Sequence, residues 1–329
     1  MQMVEILAAL GRKLADFGRN ESSAQIISRA VGDNEWFTAS DVVEAVRAIA
    51  SDMLLPEHLE SWLAHYPALP ASPPRNVLVF MAGNIPAVGF ADLLCVVTSG
   101  HRALVKYSSR DRAIMEYIVE LLSDHFAIKE YDCKVDKPDA LLAMGSDSTA
   151  AMLAREYGDI PRLVRASRSS VAILRGDETT EQLSGLCADV CRYNGRGCRS
   201  VSQLLVPEGY DFAQLCSALS KAEVSDKWNS VLRHSRALAR MSGVEFIDAE
   251  RALIINSDEQ PMNIATLHYT SYASDQELVD WINARDGVIQ CIVANGFNHS
   301  RCVPFGESQH PTLVDYPDGI DTMSFLLLI

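Results

Sequence analysis

The stretch that decides the fold is "NVLVFMAGNIPAVGFADLLCVVTSGHRALVKYSSRD", residues 76–111. Its first apolar run, 76–82, is typical of a buried strand, residues 86–100 follow as a helix, and 102–107 repeat the strand pattern. Strands separated by a helix of about ten to fifteen residues need a crossover connection, so they pair in parallel. The stretch therefore predicts an α/β fold whose parallel sheet carries helices on both faces.

The same alternation continues downstream and divides the chain. Apolar residues recur at helical spacing before the proline-rich break "PALPASPP" (67–74), and strands alternate with helices after it. We predict a helical N-terminal segment that packs on the domain after it, two α/β domains with parallel sheets, and a C-terminal tail that forms a strand. Their bounds are 1–74, 75–167, 168–310 and 311–329.

Composition excludes several classes of protein. The 329 residues carry a net charge of −14, and this acidic excess argues against nucleic-acid binding. The eight cysteines are scattered, which is unlike a disulfide framework and favours a reducing cytoplasm. The N-terminal basic residues follow the apolar stretch, the wrong order for a signal peptide. The longest apolar window contains too many breakers for a membrane span. The apolar end could extend a sheet of its own chain or of a second copy, which leaves a homo-oligomer open.

Three stretches end strands of the first α/β domain, where ligands of open α/β sheets bind. Asn84 could donate to an oxyanion or cap a helix beginning near Pro86, and its spacing alone favours the cap. Lys106 could reach a ribose or phosphate oxygen or be a solvated lysine, while Ser108, Ser109 or Asp111 could cap the next helix. The remaining pair, Gly145 and Ser146, ends a strand and opens a helix whose N–H groups could face a phosphate. One glycine before a helix is a weak signal for such a site, and an ordinary turn is the more common explanation of that pair.

The loop "RYNGRGCRS" (192–200) contains the candidate nucleophile Cys198. Neighbouring arginines, Arg196 and Arg199, would favour its thiolate, or they could point to water around a buried thiol. Cys187 and Cys191 share a helix face, but no C-x-x-C or matching histidine spacing accompanies them. Buried core cysteines are therefore favoured over metal ligands, and we predict no metal site.

In this order the four stretches resemble the aldehyde dehydrogenase superfamily, and within it the acyl-CoA reductases of the type found in bacterial bioluminescence. The segment 83–111 carries most of the likeness, "RYNGRGCRSVSQLLVPEG" resembles the nucleophile segment, and "PFGESQHPTLVDYPDGIDTMSFL" resembles the closing segment. The resemblance covers about residues 75–329. It implies a Rossmann-like cofactor domain followed by a catalytic domain.

The resemblance also implies roles for the candidates. Cys198 would be the nucleophile, and Asn84 would donate to the oxyanion together with the Cys198 backbone N–H. Lys106 would bind the adenosine ribose of NADPH or NADH, with Ser108 and Ser109 beside it. The pair Gly145 and Ser146 would lie at the pyrophosphate or nicotinamide side of the cofactor.

Two departures from the superfamily pattern narrow the chemistry. The water-activating glutamate of hydrolytic members falls at about Val164, so hydrolytic aldehyde oxidation is disfavoured and acyl exchange with CoA is favoured. Serines replace the ribose-binding glutamate after Lys106, which makes a 2′-phosphate acceptable. The leading hypothesis is an NAD(P)H-dependent acyl-CoA reductase. An acyl-phosphate reductase of the same superfamily and a non-catalytic scaffold are the alternatives.

Overall fold

The computed structural model describes residues 2–66, 69–71, 73–261 and 263–329. Their α-helices are α1 (Gln2–Ala15), α2 (Glu21–Asp33), α3 (Ala39–Ala48), α4 (Pro56–Leu63), α5 (Phe90–Ser99), α6 (Arg112–Leu122), α7 (Asp147–Glu156), α8 (Thr180–Cys191), α9 (Ala213–Ser220), α10 (Asp226–Met241), α11 (Asp275–Ala284) and α12 (Thr322–Leu327). Their strands are β1 (Asn76–Phe80), β2 (Arg102–Lys106), β3 (Ile128–Glu130), β4 (Ala140–Met144), β5 (Arg162–Arg165), β6 (Ser169–Ile173), β7 (Val201–Pro207), β8 (Ile247–Asp248), β9 (Leu253–Asn256), β10 (Thr266–Tyr272), β11 (Ile289–Val293) and β12 (Cys302–Val303).

These elements form two compact units. One comprises Met1–Ser167 together with Pro311–Ile329, and the other comprises Arg168–His310. The proline-rich break predicted at 67–74 includes Pro67, Ala68 and Ser72, which lie outside the described residues.

The first unit contains a five-stranded sheet in the order β3-β2-β1-β4-β5. All of its strand pairs are parallel, with Leu78 of the central strand opposite Leu104 on one side and Leu141 on the other. These three leucines are buried because the sheet is covered on both faces. The N-terminal helices bury their apolar side chains in one common cluster with α5, α6 and α12, whereas Leu153 of α7 packs in a separate cluster with the three leucines.

The second unit contains a seven-stranded sheet in the order β12-β11-β6-β7-β10-β9-β8. Its pairs are parallel except for the edge strand β8, which runs antiparallel to β9. The predicted α/β class with two parallel sheets and a helical N-terminal region is therefore confirmed. None of the helices in the described ranges combines the length and the apolar character that crossing a membrane would require.

The expected strand at the end of the chain is wrong, because residues 322–327 form helix α12. The Asp321 side chain accepts a hydrogen bond from the Ser324 backbone N–H at 2.9 Å and so caps the helix. Met323 and Leu326, three residues apart, are both fully buried on one helix face. A short apolar run is compatible with the period of a strand or of a helix. Here the cap and the three-residue spacing of the buried side chains favour the helix.

Candidate active site

Six candidate residues lie at the carboxyl edge of the five-stranded sheet. The loops after β1, β2 and β4 emerge side by side there, because these three strands are neighbours and run parallel. The six residues that this arrangement places at one edge are Asn84, Lys106, Ser108, Ser109, Gly145 and Ser146. The strand order reverses direction at β1, and such a switch point is where open α/β sheets bind their ligands.

The loop after β1 does not continue directly into a helix. Ala87 has a φ of 57°, in the left-handed region, so an α-helix cannot pass through it. Helix α5 begins only at Phe90, with Gly89 in the capping position. The expectation of a helix beginning near Pro86 is therefore wrong, and Asn84 is not its cap. Its side chain is half-buried within the loop.

The loop after β2 presents one cation and two hydroxyls. Lys106 is exposed and has no ion-pair partner among the residues that the structure describes. Ser109 is exposed and Ser108 is half-buried, and the Ser108 Oγ accepts a hydrogen bond from the Arg110 backbone N–H at 3.3 Å. The carboxylate of Glu130, on the neighbouring strand β3, is engaged by two nitrogens of Arg112 at 2.9 and 2.8 Å. This ion pair lowers the pKa of Glu130 and occupies its oxygens.

Asp111 ends the same loop and is 1% exposed. Its carboxyl faces the backbone N–H of Ala87, but neither oxygen has a hydrogen-bond partner of good geometry in the described part of the chain. Burial raises the pKa of Asp111 well above its ordinary value, and the Ala87 N–H offsets this only in part. Sequence reasoning treated Asp111 as a capping residue and did not detect its burial.

Replacing Asp111 by asparagine should stabilise the protein in a pH-dependent way. The unfolded carboxyl ionises above about pH 4, whereas burial keeps the folded one protonated to higher pH. Wild-type stability should therefore fall with rising pH by about 1.4 kcal/mol per unit between those two pKa values. Thermal unfolding should give similar midpoints for both proteins near pH 4 and a higher midpoint for Asp111→Asn at pH 8. A variant that is less stable at pH 8 contradicts this account.

The turn after β4 opens helix α7 as predicted. The Ser146 Oγ caps the helix by accepting a hydrogen bond from the Thr149 backbone N–H at 3.3 Å. The Gly145 N–H donates to the Arg165 carbonyl at 3.2 Å, which ties the turn to the next strand. The N-terminal end of α7 therefore lies at the carboxyl edge of the sheet, where its partial positive charge suits an anion.

In the second unit, the loop that carries Cys198 begins with an unusual turn. Tyr193, Asn194 and Gly195 have φ values of 52°, 55° and 64°, all in the left-handed region. Such angles strain residues other than glycine, so the surrounding structure must hold them. The Asn194 amide oxygen accepts a hydrogen bond from the Ser225 hydroxyl at the start of α10. The backbone at Gly195 also packs against the buried ring of Trp228.

Hydrogen bonds from side chains of other segments fix the backbone around Cys198. The Ser170 hydroxyl on β6 donates to the Cys198 carbonyl at 3.0 Å and accepts from the Cys291 N–H at 3.1 Å. The Gln309 amide donates to the Ser200 Oγ at 3.1 Å, and that oxygen also accepts from the Gly197 N–H at 3.3 Å. The Cys198 side chain is only partly buried, and it stands on a loop that these hydrogen bonds hold in place.

Two other side chains, one from this loop and one from α8, bind residues 304–310. Arg199 donates from Nε to the Ser308 carbonyl at 2.5 Å, so at least part of its guanidinium has a structural use. Asp189 is buried and accepts hydrogen bonds from the backbone N–H groups of Gly306 at 2.7 Å and Ser308 at 2.9 Å. Its burial raises the pKa of the carboxyl, while these hydrogen bonds oppose the rise.

Sequence reasoning did not identify Asp189 or Ser170. A polar position inside the apolar face of α8, "LCADVC", is the signal that could have indicated Asp189. Cys187 is buried and Cys191 packs against the same core, in agreement with the core interpretation. Burial raises the pKa of Cys187 to about 12.

Solved structures share this fold. No protein-family model and no curated protein matches the sequence. The aldehyde dehydrogenase KauB from Pseudomonas aeruginosa is 13% identical, with a TM-score of 0.63 over 91% of this chain and 72% of that one. An oxidoreductase from Marinobacter aquaeolei is 12% identical, with a TM-score of 0.66 over 94% and 79%. The NADP-dependent glyceraldehyde-3-phosphate dehydrogenase from Bacillus halodurans C-125, complexed with NADP, is 12% identical, with a TM-score of 0.61 over 89% and 73%. The chain therefore has the fold of the aldehyde dehydrogenases.

Proposed function

We propose that this protein reduces an acyl-CoA thioester to an aldehyde with NAD(P)H, through an acyl-enzyme on Cys198. The observation that favours reduction over hydrolytic oxidation is that a valine, Val164, stands on β5. It packs with an apolar cluster at the position where hydrolytic relatives are expected to have the glutamate that activates water. Without that base, an acyl-cysteine is better released by reduction or by another thiol than by hydrolysis.

The proposed reaction begins at the Cys198 thiolate. The thiolate attacks the thioester carbonyl, and the new C–S bond gives a tetrahedral intermediate that collapses as the CoA thiolate leaves. A hydride and a proton then convert the acyl-cysteine into a thiohemiacetal, which releases the aldehyde and returns the thiol. The balance is one acyl-CoA, one NAD(P)H and one proton to one aldehyde, one CoA and one NAD(P)⁺. The assignment of Asn84 to the oxyanion stays a prediction of the resemblance.

The first unit offers groups that fit a dinucleotide. Lys106 is an exposed cation without an ion-pair partner in the described ranges, and the N-terminus of α7 opens at the same edge. Lys106, Ser108 and Ser109 would hold the adenosine ribose, and the N-terminus of α7, which Gly145 and Ser146 position, would face the pyrophosphate. When bound, the nicotinamide cofactor supplies the hydride.

The charges around Lys106 support NADPH over NADH. Glu130 is engaged by Arg112, and Asp111 is buried and turned inward. Ser108 and Ser109 stand where the resemblance expects a glutamate, two or three residues after Lys106, so that carboxylate is absent from the loop. A 2′-phosphate beside Lys106 would therefore meet a cation and hydroxyls, while Arg112 balances the charge of the nearby Glu130.

A trapping experiment tests the proposed function. The protein is incubated with acyl-CoA without cofactor, and its intact mass should rise by one acyl group. Cleavage after glutamate releases residues 182–208, in which fragmentation distinguishes acylated Cys198 from Cys187 and Cys191. Adding NADPH should then discharge the acyl group as aldehyde.

The same experiment distinguishes the alternatives. Acylation by acyl phosphate but not by acyl-CoA would make the protein an acyl-phosphate reductase. No acylation by either donor, together with no cofactor-dependent turnover, would contradict the enzymatic proposal and support a scaffold.

A further inference from the structure

The N-terminal helical region reaches the carboxyl edge of the sheet through one buried side chain, Asn34. This residue directly follows α2 and is 4% exposed. Its amide nitrogen donates to the Gly83 carbonyl at 3.0 Å and to the Arg110 carbonyl at 3.3 Å. Its amide oxygen accepts from the Trp36 backbone N–H at 3.1 Å. Both hydrogens of one amide group thus bind two loops that follow different strands.

The two loops, 81–89 after β1 and 107–111 after β2, also contact each other directly. A Cβ atom at position 83 would lie 2.8 Å from the Ser108 Cβ and 3.2 Å from the Arg110 Cβ, so only glycine permits this approach. The Asp111 carboxyl faces the backbone N–H of Ala87 in the opposite loop. Asn34 therefore joins two surfaces that already pack together, and its two hydrogen bonds fix their spacing.

The chemistry of the amide suits this task. A primary amide offers two hydrogens on one nitrogen and an acceptor oxygen, and Asn34 uses all three. Alanine at position 34 would remove the hydrogen bonds to the Gly83 and Arg110 carbonyls. A buried carbonyl without a hydrogen-bond partner lowers the stability of the fold. A carboxylate of the same size would instead place acceptor against acceptor.

We propose that Asn34 is a positioning residue that holds loops 81–89 and 107–111 at the spacing which cofactor binding requires. This inference rests on the proposed function, since the two loops carry Asn84, Ser108 and Ser109, and the second loop directly follows Lys106. Asn34 itself acts on the loops through its hydrogen bonds to their backbone carbonyls.

Amide hydrogen exchange tests the clamp without any cofactor. Asn34→Ala should speed exchange in both loops together by about tenfold, and Asn34→Asp, which keeps the volume, should speed it further. The matched control is Asn20→Ala at the other end of α2, where an exposed side chain caps the helix by accepting from the Ser23 N–H at 2.9 Å. This control should lower the stability of α2 while leaving exchange in the loops unchanged. Unchanged exchange in Asn34→Asp, or faster exchange in one loop alone, overturns the clamp.

NADPH binding then tests the link to function. Titration should give a dissociation constant about tenfold higher for Asn34→Ala than for Asn20→Ala, at comparable loss of thermal stability. Equal affinities in the two variants overturn the positioning role. Failure of the wild type to bind NADPH or NADH contradicts the proposed function, whereas the exchange experiment still decides whether Asn34 clamps the loops.

Discussion

Replacing Cys198 by serine should lower the rate of acyl-CoA reduction by at least about 10³-fold, because an alcohol at this position is a far weaker nucleophile than a thiolate. The loop around residue 198 is held through backbone groups, by Ser170 at the Cys198 carbonyl and by Gln309 through Ser200. The substitution should therefore leave the fold and the thermal unfolding midpoint nearly unchanged. The acyl mass on residues 182–208 should disappear with the activity.

The matched control is Cys216→Ser, which removes another partly buried thiol of the second unit, on α9. It should keep full activity. A Cys198→Ser variant that reduces acyl-CoA at the wild-type rate contradicts the mechanism.

Alkylation of the wild type gives an independent check on Cys198. Burial raises the pKa of Cys187, Cys191, Cys216 and Cys302, so these thiols form little thiolate near neutral pH. In the second unit, iodoacetamide should therefore modify Cys198 before these four. Peptide mapping after short exposure measures the order, and earlier modification of Cys216 would contradict it.

Replacing Asp92 by alanine should destabilise the first unit by about 3–5 kcal/mol, because it leaves a buried guanidinium without its counter-ion. Arg165 is 1% exposed, and its Nη1 lies 2.8 and 2.7 Å from the two carboxylate oxygens of Asp92. Its Nη2 donates to the Thr322 hydroxyl at 2.7 Å. One arginine thus joins β5, α5 and α12, so the loss should also loosen the end of the chain. Urea unfolding measures the change.

An exposed ion pair of the same unit provides the control. Asp16 and Arg19 lie 2.9 Å apart with both side chains 66% exposed, so Asp16→Ala should cost less than about 1 kcal/mol. A double variant, Asp92→Leu with Arg165→Met, should recover much of the stability, because no buried charge remains unpaired. A cost for Asp92→Ala no larger than that for Asp16→Ala would show that Arg165 finds another partner.

Much of the first unit could be predicted from local pattern. The runs that form β1, β2 and β4 have apolar centres and are bounded by turn residues, so their period and length identify them as buried strands. Ser146 was correctly placed at the start of a helix, because a serine between a strand and a helical pattern is a strong cap signal.

Other features could not be predicted from the sequence, because contacts between distant segments create them. Asn34 contacts Gly83 across 49 positions, and Arg165 contacts Thr322 across 157. Neither asparagine nor arginine carries a local signal of burial, since both residue types are usually exposed. The start of α5 was misplaced for a related reason: the left-handed angle at Ala87 is held by its surroundings, not by a preference of alanine.

The sequence by itself determined the alternation of strands and helices, the polar residues that follow each strand, and the single thiol set between glycines and arginines. These are properties of neighbouring residues, and hydrophobic period and turn chemistry express them directly. Only the tertiary structure decided which strands are neighbours, which polar groups are buried, and what fixes each loop. Those outcomes depend on packing between remote segments, where burial makes every unpaired charge or carbonyl costly and so selects the partners of Asn34, Asp189 and Arg165.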